Sequence, residues 1–134
     1  MLDKARERGV YDALATADLC QHLGASPGAY DVIAAADVLV YIGDVAPVFA
    51  AAAGALREGG IFILTAELCE GGGYALTLAG RYAHSGSYLL DAAATAGLAA
   101  LSIEEEALRT EIGRPVRGWV AAFEKPRSPD LTGR

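Results

Sequence analysis

The chain has 134 residues, enough for one domain around a single core but short for a complete doubly wound enzyme. Its 53% hydrophobic and 21% charged content excludes wholesale disorder, and a net charge of −6 without any Lys/Arg cluster argues against a nucleic-acid partner. No stretch approaches the ~20 apolar residues of a membrane span, and the charged start Met1–Arg8 carries no signal-peptide apolar region; no membrane association and a cytoplasmic location are expected.

Residues 2–8 read as a helix with no Ser, Thr, Asp or Asn ahead to cap it, which suggests that an upstream part of the domain is missing. Residues 11–17 read as a short strand ending at Asp18-Leu19, followed by a helical turn over 20–24 and a loop at Ser26-Pro27-Gly28. Tyr30–Ala35 is a short apolar run with β-branched residues, the pattern of a buried parallel strand. Asp44 is placed to cap a helix over 45–57, with Pro47 in its first turn, Phe49, Ala52, Ala53 and Leu56 on one face, and Gly59-Gly60 as its stop. Ile61–Thr65 is the clearest buried strand. Cys20 and Cys69 match no metal or redox spacing, so reduced thiols and no metal are expected.

After Gly71-Gly72-Gly73, Leu76 and Leu78 suggest a short extended piece. Ser85 or Ser87 caps a helix through Ala96 that ends at Gly97. Residues 99–109 alternate as an edge strand, with Leu101 and Ile103 on one face and Glu104 and Glu106 on the other. Glu111–Pro115 suits a hairpin reversal into a last strand over 116–124. The domain is expected to cover 1–124, with 125–134 a disordered tail. Strands alternating with helices, then a hairpin, imply an α/β fold with a mostly parallel sheet and a C-terminal antiparallel strand.

Three segments carry a family resemblance. Tyr30–Asp44 resembles the fourth strand and following loop of class I S-adenosylmethionine (SAM)-dependent methyltransferases. Ala55–Phe62 resembles their junction into the fifth strand, with Glu58 where the family most often has proline. Gly80-Arg81-Tyr82-Ala83-His84-Ser85, followed by Tyr88, resembles a bacterial subgroup of TPR-repeat-containing methyltransferases. Met1–Arg6 resembles the helix after the family's second strand. The match runs over residues 1 to 124 and implies a truncated Rossmann-like fold of usual strand order 3-2-1-4-5-7-6, without strands one and two.

The resemblance implies SAM as cofactor, bound at the carboxyl ends of the strands. Asp18 and Leu19 would meet its adenine, and Ala35, Ala36 and Asp37 would line the side of the reacting methyl. His84 and Tyr82 become the candidate catalytic residues, and Tyr41, Arg81 and Tyr88 candidate contacts to a small-molecule acceptor. The family's Gly-rich turn and ribose-binding acid have no counterpart in the sequence, so weak or no activity of the chain alone is expected. Each role has a plainer alternative: Asp37 also reads as a turn cap, and His84 as a structural hydrogen-bonder near the Ser85 helix start. The rings of Tyr41, Tyr82 and Tyr88 are equally compatible with ordinary packing.

The exposed edge of the Tyr30–Ala35 strand has three readings: the strand at 11–17 slides in beside it, two chains pair through it as a homodimer, or another polypeptide supplies the missing half. A non-enzymatic Rossmann-like module that dimerises or binds a protein partner is the competing function.

Overall fold

A computed structural model describes residues 18–127 of the chain. The readings for 2–8, 11–17 and most of the tail therefore lie outside the described residues. A helix, α1, covers residues 18–24 and buries Leu23. The loop at Ser26–Gly28 then leads into β1 (Tyr30–Ala35), and a single 3-10 turn follows over Leu39–Tyr41. Next come α2 (Ala46–Ala55), β2 (Leu56–Leu68), β3 (Tyr74–Leu76), β4 (Tyr82–His84), α3 (Gly86–Thr95), β5 (Ala99–Glu111) and β6 (Arg114–Glu124).

Among the described residues the six strands form one mixed sheet around β2. β1 runs parallel to the first part of β2, with Ala35 opposite Leu64. β4 runs parallel to its end, with Leu68 opposite His84. On its other edge β2 pairs antiparallel with β6, and β6 pairs antiparallel with β5. The order β1-β2-β6-β5 is the 4-5-7-6 half of the order that the resemblance implies. The fold is α/β and Rossmann-like, as expected. The sheet is mixed and not mostly parallel among the described residues, because β3 adds an antiparallel pairing to β4 besides those of β2 with β6 and β6 with β5.

Period-2 alternation decides which face holds the core. Phe62, Leu64 and Ala66 of β2 and Ala121 and Phe123 of β6 point to one side, where α2 and α3 cover them. Phe49 of α2 sits edge-on against both Phe62 and Phe123, at centroid distances of 5.4 and 5.3 Å. Truncating any of these buried rings to alanine would cost ~3–5 kcal/mol. All three helices feed this one core cluster. The opposite face carries Val32, Ile63 and Val120, 55%, 39% and 37% exposed, and among the described residues no helix covers it.

Local chemistry set several boundaries differently from the sequence pattern. The Asp44 carboxylate does accept from the Ala46 N–H at 3.1 Å. The helix it starts ends at Ala55, however, because Leu56 is fully buried opposite Tyr30 as the first residue of β2. Gly59-Gly60 therefore lies inside an irregularity of β2, where Gly59 has φ 80°, and does not stop a helix. Lys125, assigned above to the tail, exchanges backbone hydrogen bonds with Gly59 and Gly60. A register shift between Ala100 and Ser102 leaves Leu101 exposed while Ile103 stays half-buried. The hairpin loop shrinks to Ile112-Gly113, with φ 49° and 73°, the pair of positive values that a tight antiparallel turn demands. Pro115 is tolerated in β6 because it lies beyond Gly118, the last partner of β2.

Candidate active site

Ligands of open parallel sheets sit beyond the carboxyl ends of the strands. There β1 ends in buried Ala35, exposed Ala36 and exposed Asp37. Asp37 has φ 58°, a left-handed conformation that a residue with Cβ seldom adopts. Its N–H donates to Thr65 Oγ1 of β2 at 3.1 Å, and its carboxylate faces Arg109 at 3.5 Å. The carboxylate thus pairs across the sheet, and no side chain caps the turn at Leu39–Tyr41. The strand end thus presents two small side chains and a solvent-facing turn held by Thr65. Asp18 is exposed in α1, while Leu19 packs partly into the core.

A charged cluster stands beside that turn. Glu67, only 6% exposed, accepts from both Arg81 and Arg109. Glu111 bonds Arg81 at 2.8 Å and Arg109 at 3.4 Å. The Arg81 guanidinium, with Arg109 beside it, holds the Glu111 carboxyl below its usual range. Arg81 is therefore engaged in this structure with carboxylates of the chain itself. Glu67, Arg109 and Glu111 escaped sequence reasoning. Glu67 does continue the Ile61-Ile63-Thr65 alternation, so a strand drawn two residues longer places it on that face.

The second cluster is aromatic. His84 is fully buried, and its Nε2 lies 2.8 Å from the Ile42 carbonyl oxygen and 3.2 Å from that of Gly43. Carbonyls only accept, so Nε2 carries the proton and Nδ1 the lone pair. Burial pulls the imidazole pKa below its ordinary 6.5, and the two carbonyl contacts oppose that shift. His84 stacks on Tyr88 at 6.2 Å. Tyr74 joins Tyr82, His84 and Tyr88 at 5.9, 6.3 and 5.6 Å. The Tyr88 hydroxyl donates to Asp44 and accepts from the Val45 N–H, both at 3.2 Å. Burial pushes this phenol's pKa up, and the Asp44 carboxylate adds to it.

His84 and Tyr88 thus meet directly and Tyr82 joins them through Tyr74, whereas Tyr41 stands 52% exposed on the 3-10 turn and outside these ring pairs. Tyr74 is the ring that sequence reasoning missed. Ser85, of the two serines expected to cap α3, accepts from the Tyr88 N–H at 3.2 Å, and the adjoining His84 makes its own hydrogen bonds to the Ile42 and Gly43 carbonyls.

Sheet order, helix placement and the strand-end turn together define the fold of class I SAM-dependent methyltransferases. Solved structures agree. A SAM-dependent methyltransferase from Methanosarcina mazei superposes with a TM-score of 0.61 at 14% identity, over 77% of this chain and 62% of that one. The Burkholderia thailandensis 1,6-didemethyltoxoflavin-N1-methyltransferase, solved with 1,6-didemethyltoxoflavin and S-adenosylhomocysteine, gives 0.60 at 13% identity over 76% and 46%. The cyclase SpnF gives 0.63 at 16% identity over 77% and 52%. The chain thus spans less than two thirds of the length of these three proteins. No protein-family model and no curated protein matches the sequence.

Proposed function

We propose that this chain is the acceptor-side part of a class I SAM-dependent methyltransferase domain of the TPR-associated bacterial subgroup, acting on a small-molecule acceptor. The observation that carries the reading is the fixed, exposed Ala36-Asp37 turn at the carboxyl end of β1, in a sheet of order β1-β2-β6-β5. Asp18 and Leu19 would hold the adenine of SAM, and Ala35, Ala36 and Asp37 would line its reacting end. When bound, the cofactor supplies an electrophilic methyl group. Methyl transfer needs alignment and exclusion of water more than covalent help. His84, neutral and without a hydrogen-bond partner at Nδ1, is the base for the acceptor's proton with Tyr82 as the second catalytic residue, and Tyr88, Tyr41 and Arg81 shape the acceptor's surroundings.

The sequence offers no counterpart of the Gly-rich turn or of the ribose acid. Losing hydrogen bonds worth ~1–3 kcal/mol each lowers affinity by orders of magnitude. Binding by the chain alone is therefore weak. Calorimetric titration with S-adenosylhomocysteine tests this: millimolar or weaker affinity agrees with the reading, and sub-millimolar affinity contradicts an incomplete site.

The uncovered face at Val32, Ile63 and Val120 favours a second reading, a non-enzymatic module that associates with a partner or with a second copy, the latter through the edge of β1. Sedimentation equilibrium distinguishes them, since a concentration-dependent dimer with no cofactor binding supports the module.

A further inference from the structure

The aromatic cluster holds a buried acceptor with nothing upon it. His84 is 0% exposed, its Nε2–H is taken by Ile42 and Gly43, and its Nδ1 has no hydrogen-bond partner in the structure. An unmet buried acceptor costs about 1–3 kcal/mol, so such atoms are normally met by a ligand or a water.

The surroundings of that imidazole say what kind of ligand suits it. Tyr74 and Tyr88 stand beside it at ring-centroid distances of 6.3 and 6.2 Å, and the backbone of Gly43 supports the rings of Tyr74 and Tyr82. A Cβ at Gly43 would lie 2.5 Å from the Tyr74 ring and 2.9 Å from that of Tyr82, so rings rest on this backbone only because position 43 is glycine. The Tyr74 ring occupies the place over that backbone, 6.3 Å from the His84 ring, and turning it aside would open a slot there. Tyr74 lies directly opposite His84 in the β3–β4 ladder, yet its side is 46% exposed. It also follows Gly71-Gly72-Gly73, where Gly72 and Gly73 have φ of 81° and 62°. The Gly73 carbonyl accepts from the Ser85 N–H at 2.9 Å, so what can turn aside is the half-exposed Tyr74 side chain and not its backbone.

We infer that the slot beneath Tyr74 binds the flat ring of the methyl acceptor, which donates a ring-borne O–H or N–H to Nδ1 of His84. The substrate class is a hydroxylated aromatic or an N–H heteroaromatic. Ring walls favour a planar ligand through offset and edge-to-face contacts at ~4.5–7 Å. An imidazole protonated at Nε2 offers Nδ1 only as an acceptor, so the ligand must bring the donor. Calling this ligand the methyl acceptor rests on the methyltransferase reading; the slot and its hydrogen bond do not.

The test uses the full chain without cofactor, so its outcome is independent of S-adenosylhomocysteine binding. Protein labelled with 15N-histidine is titrated with phenol, with indole and with toluene, and the ring nitrogens of His84 are followed by NMR. His84→Gln identifies its signals against those of His22. Phenol or indole is expected to move the Nδ1 resonance while Nε2 stays, and whichever does so first assigns the donor as O–H or N–H. Toluene, of similar shape without a donor, is expected to bind about tenfold more weakly. Tyr74→Ala, which uncovers the slot, is expected to show the same Nδ1 shift at lower ligand concentration. An Nδ1 resonance unmoved by phenol and indole in both proteins overturns the inference. Toluene binding as tightly as both donors overturns it equally.

Discussion

The Nε2 atom of His84 stands 2.8 Å from the carbonyl oxygen of Ile42, and this hydrogen bond fastens the end of β4 to the loop that follows β1. Around it, the Tyr88 hydroxyl grips Asp44 and Val45, and the Trp119 indole donates to the His84 carbonyl at 3.0 Å. The loop after β1, the β4–α3 junction and β6 are thus joined around His84 and Tyr88.

Replacing His84 with phenylalanine keeps the ring and removes both carbonyl contacts. The Ile42 and Gly43 carbonyls then lose a donor in a buried place, and a loss of ~1–3 kcal/mol is expected. Urea unfolding checks this through a lower midpoint at unchanged slope; an unchanged midpoint contradicts the role given to Nε2.

The same residue sets a pH dependence. The unfolded chain's imidazole takes up a proton around 6.5, while burial delays that step in the folded state to lower pH. Between those values the unfolded state binds more protons, so stability rises with pH. The stability is fully present above 6.5 and falls as pH drops toward the folded pKa. The Glu111 contribution has the same sign but is lost only below the ordinary carboxylate value of 4.5. Urea midpoints of wild type and His84→Gln, compared at about pH 7.5 and about pH 5.5, separate the windows. The variant is expected to lose less stability between them; equal losses contradict this.

Glu67 neutralises two arginines from within the sheet. Glu67→Gln leaves Arg81 and Arg109 facing a neutral amide at a buried position, an expected cost of ~3–5 kcal/mol. Glu111→Gln removes an exposed partner and is expected to cost much less. A double-mutant cycle of Glu67 with Arg109 measures the coupling. Additive single effects contradict a shared network.

Two glycines contrast the firm and the movable parts of the molecule. A Cβ at Gly118 would collide with the Leu108 side chain and with the Ala66 carbonyl, which belongs to β2 and cannot yield. Gly118→Ala is expected to destabilise by more than ~3 kcal/mol. At Gly43 the nearest obstacle is the half-exposed ring of Tyr74, so Gly43→Ala is expected to displace that ring at lower cost. Thermal unfolding ranks the two, and the opposite ranking contradicts the mobility assigned to Tyr74.

Much of the fold was legible because period and burial agree. Tyr30–Ala35 and Ile61–Thr65 read correctly as strands from their apolar runs, and Ser85 announced α3; the expected burial of both faces does not hold, since Val32 and Ile63 lie on the uncovered side of the sheet. What failed to show depends on contacts between distant residues. Leu56 leaves the helix because Tyr30 pairs with it, which no window around Leu56 reveals. β4 is three residues long and exists only because β2 extends to Leu68 beside it. At the site, His84 and Tyr88 were named from local resemblance. Tyr74 was missed because its partners lie 8 to 14 positions away across a ladder. Glu67 was missed because a lone carboxylate after an apolar strand gives no sign of the two arginines that bury it.

The central claim is that the Ala36-Asp37 turn and α1 keep the cofactor walls of a methyltransferase. Amide NMR of the chain with millimolar S-adenosylhomocysteine tests it most directly, because chemical shifts register binding too weak for calorimetry. Concentration-dependent shifts are expected at Leu19, Ala36 and Asp37, diminished in Asp37→Ala. Shifts absent from all three residues would contradict it.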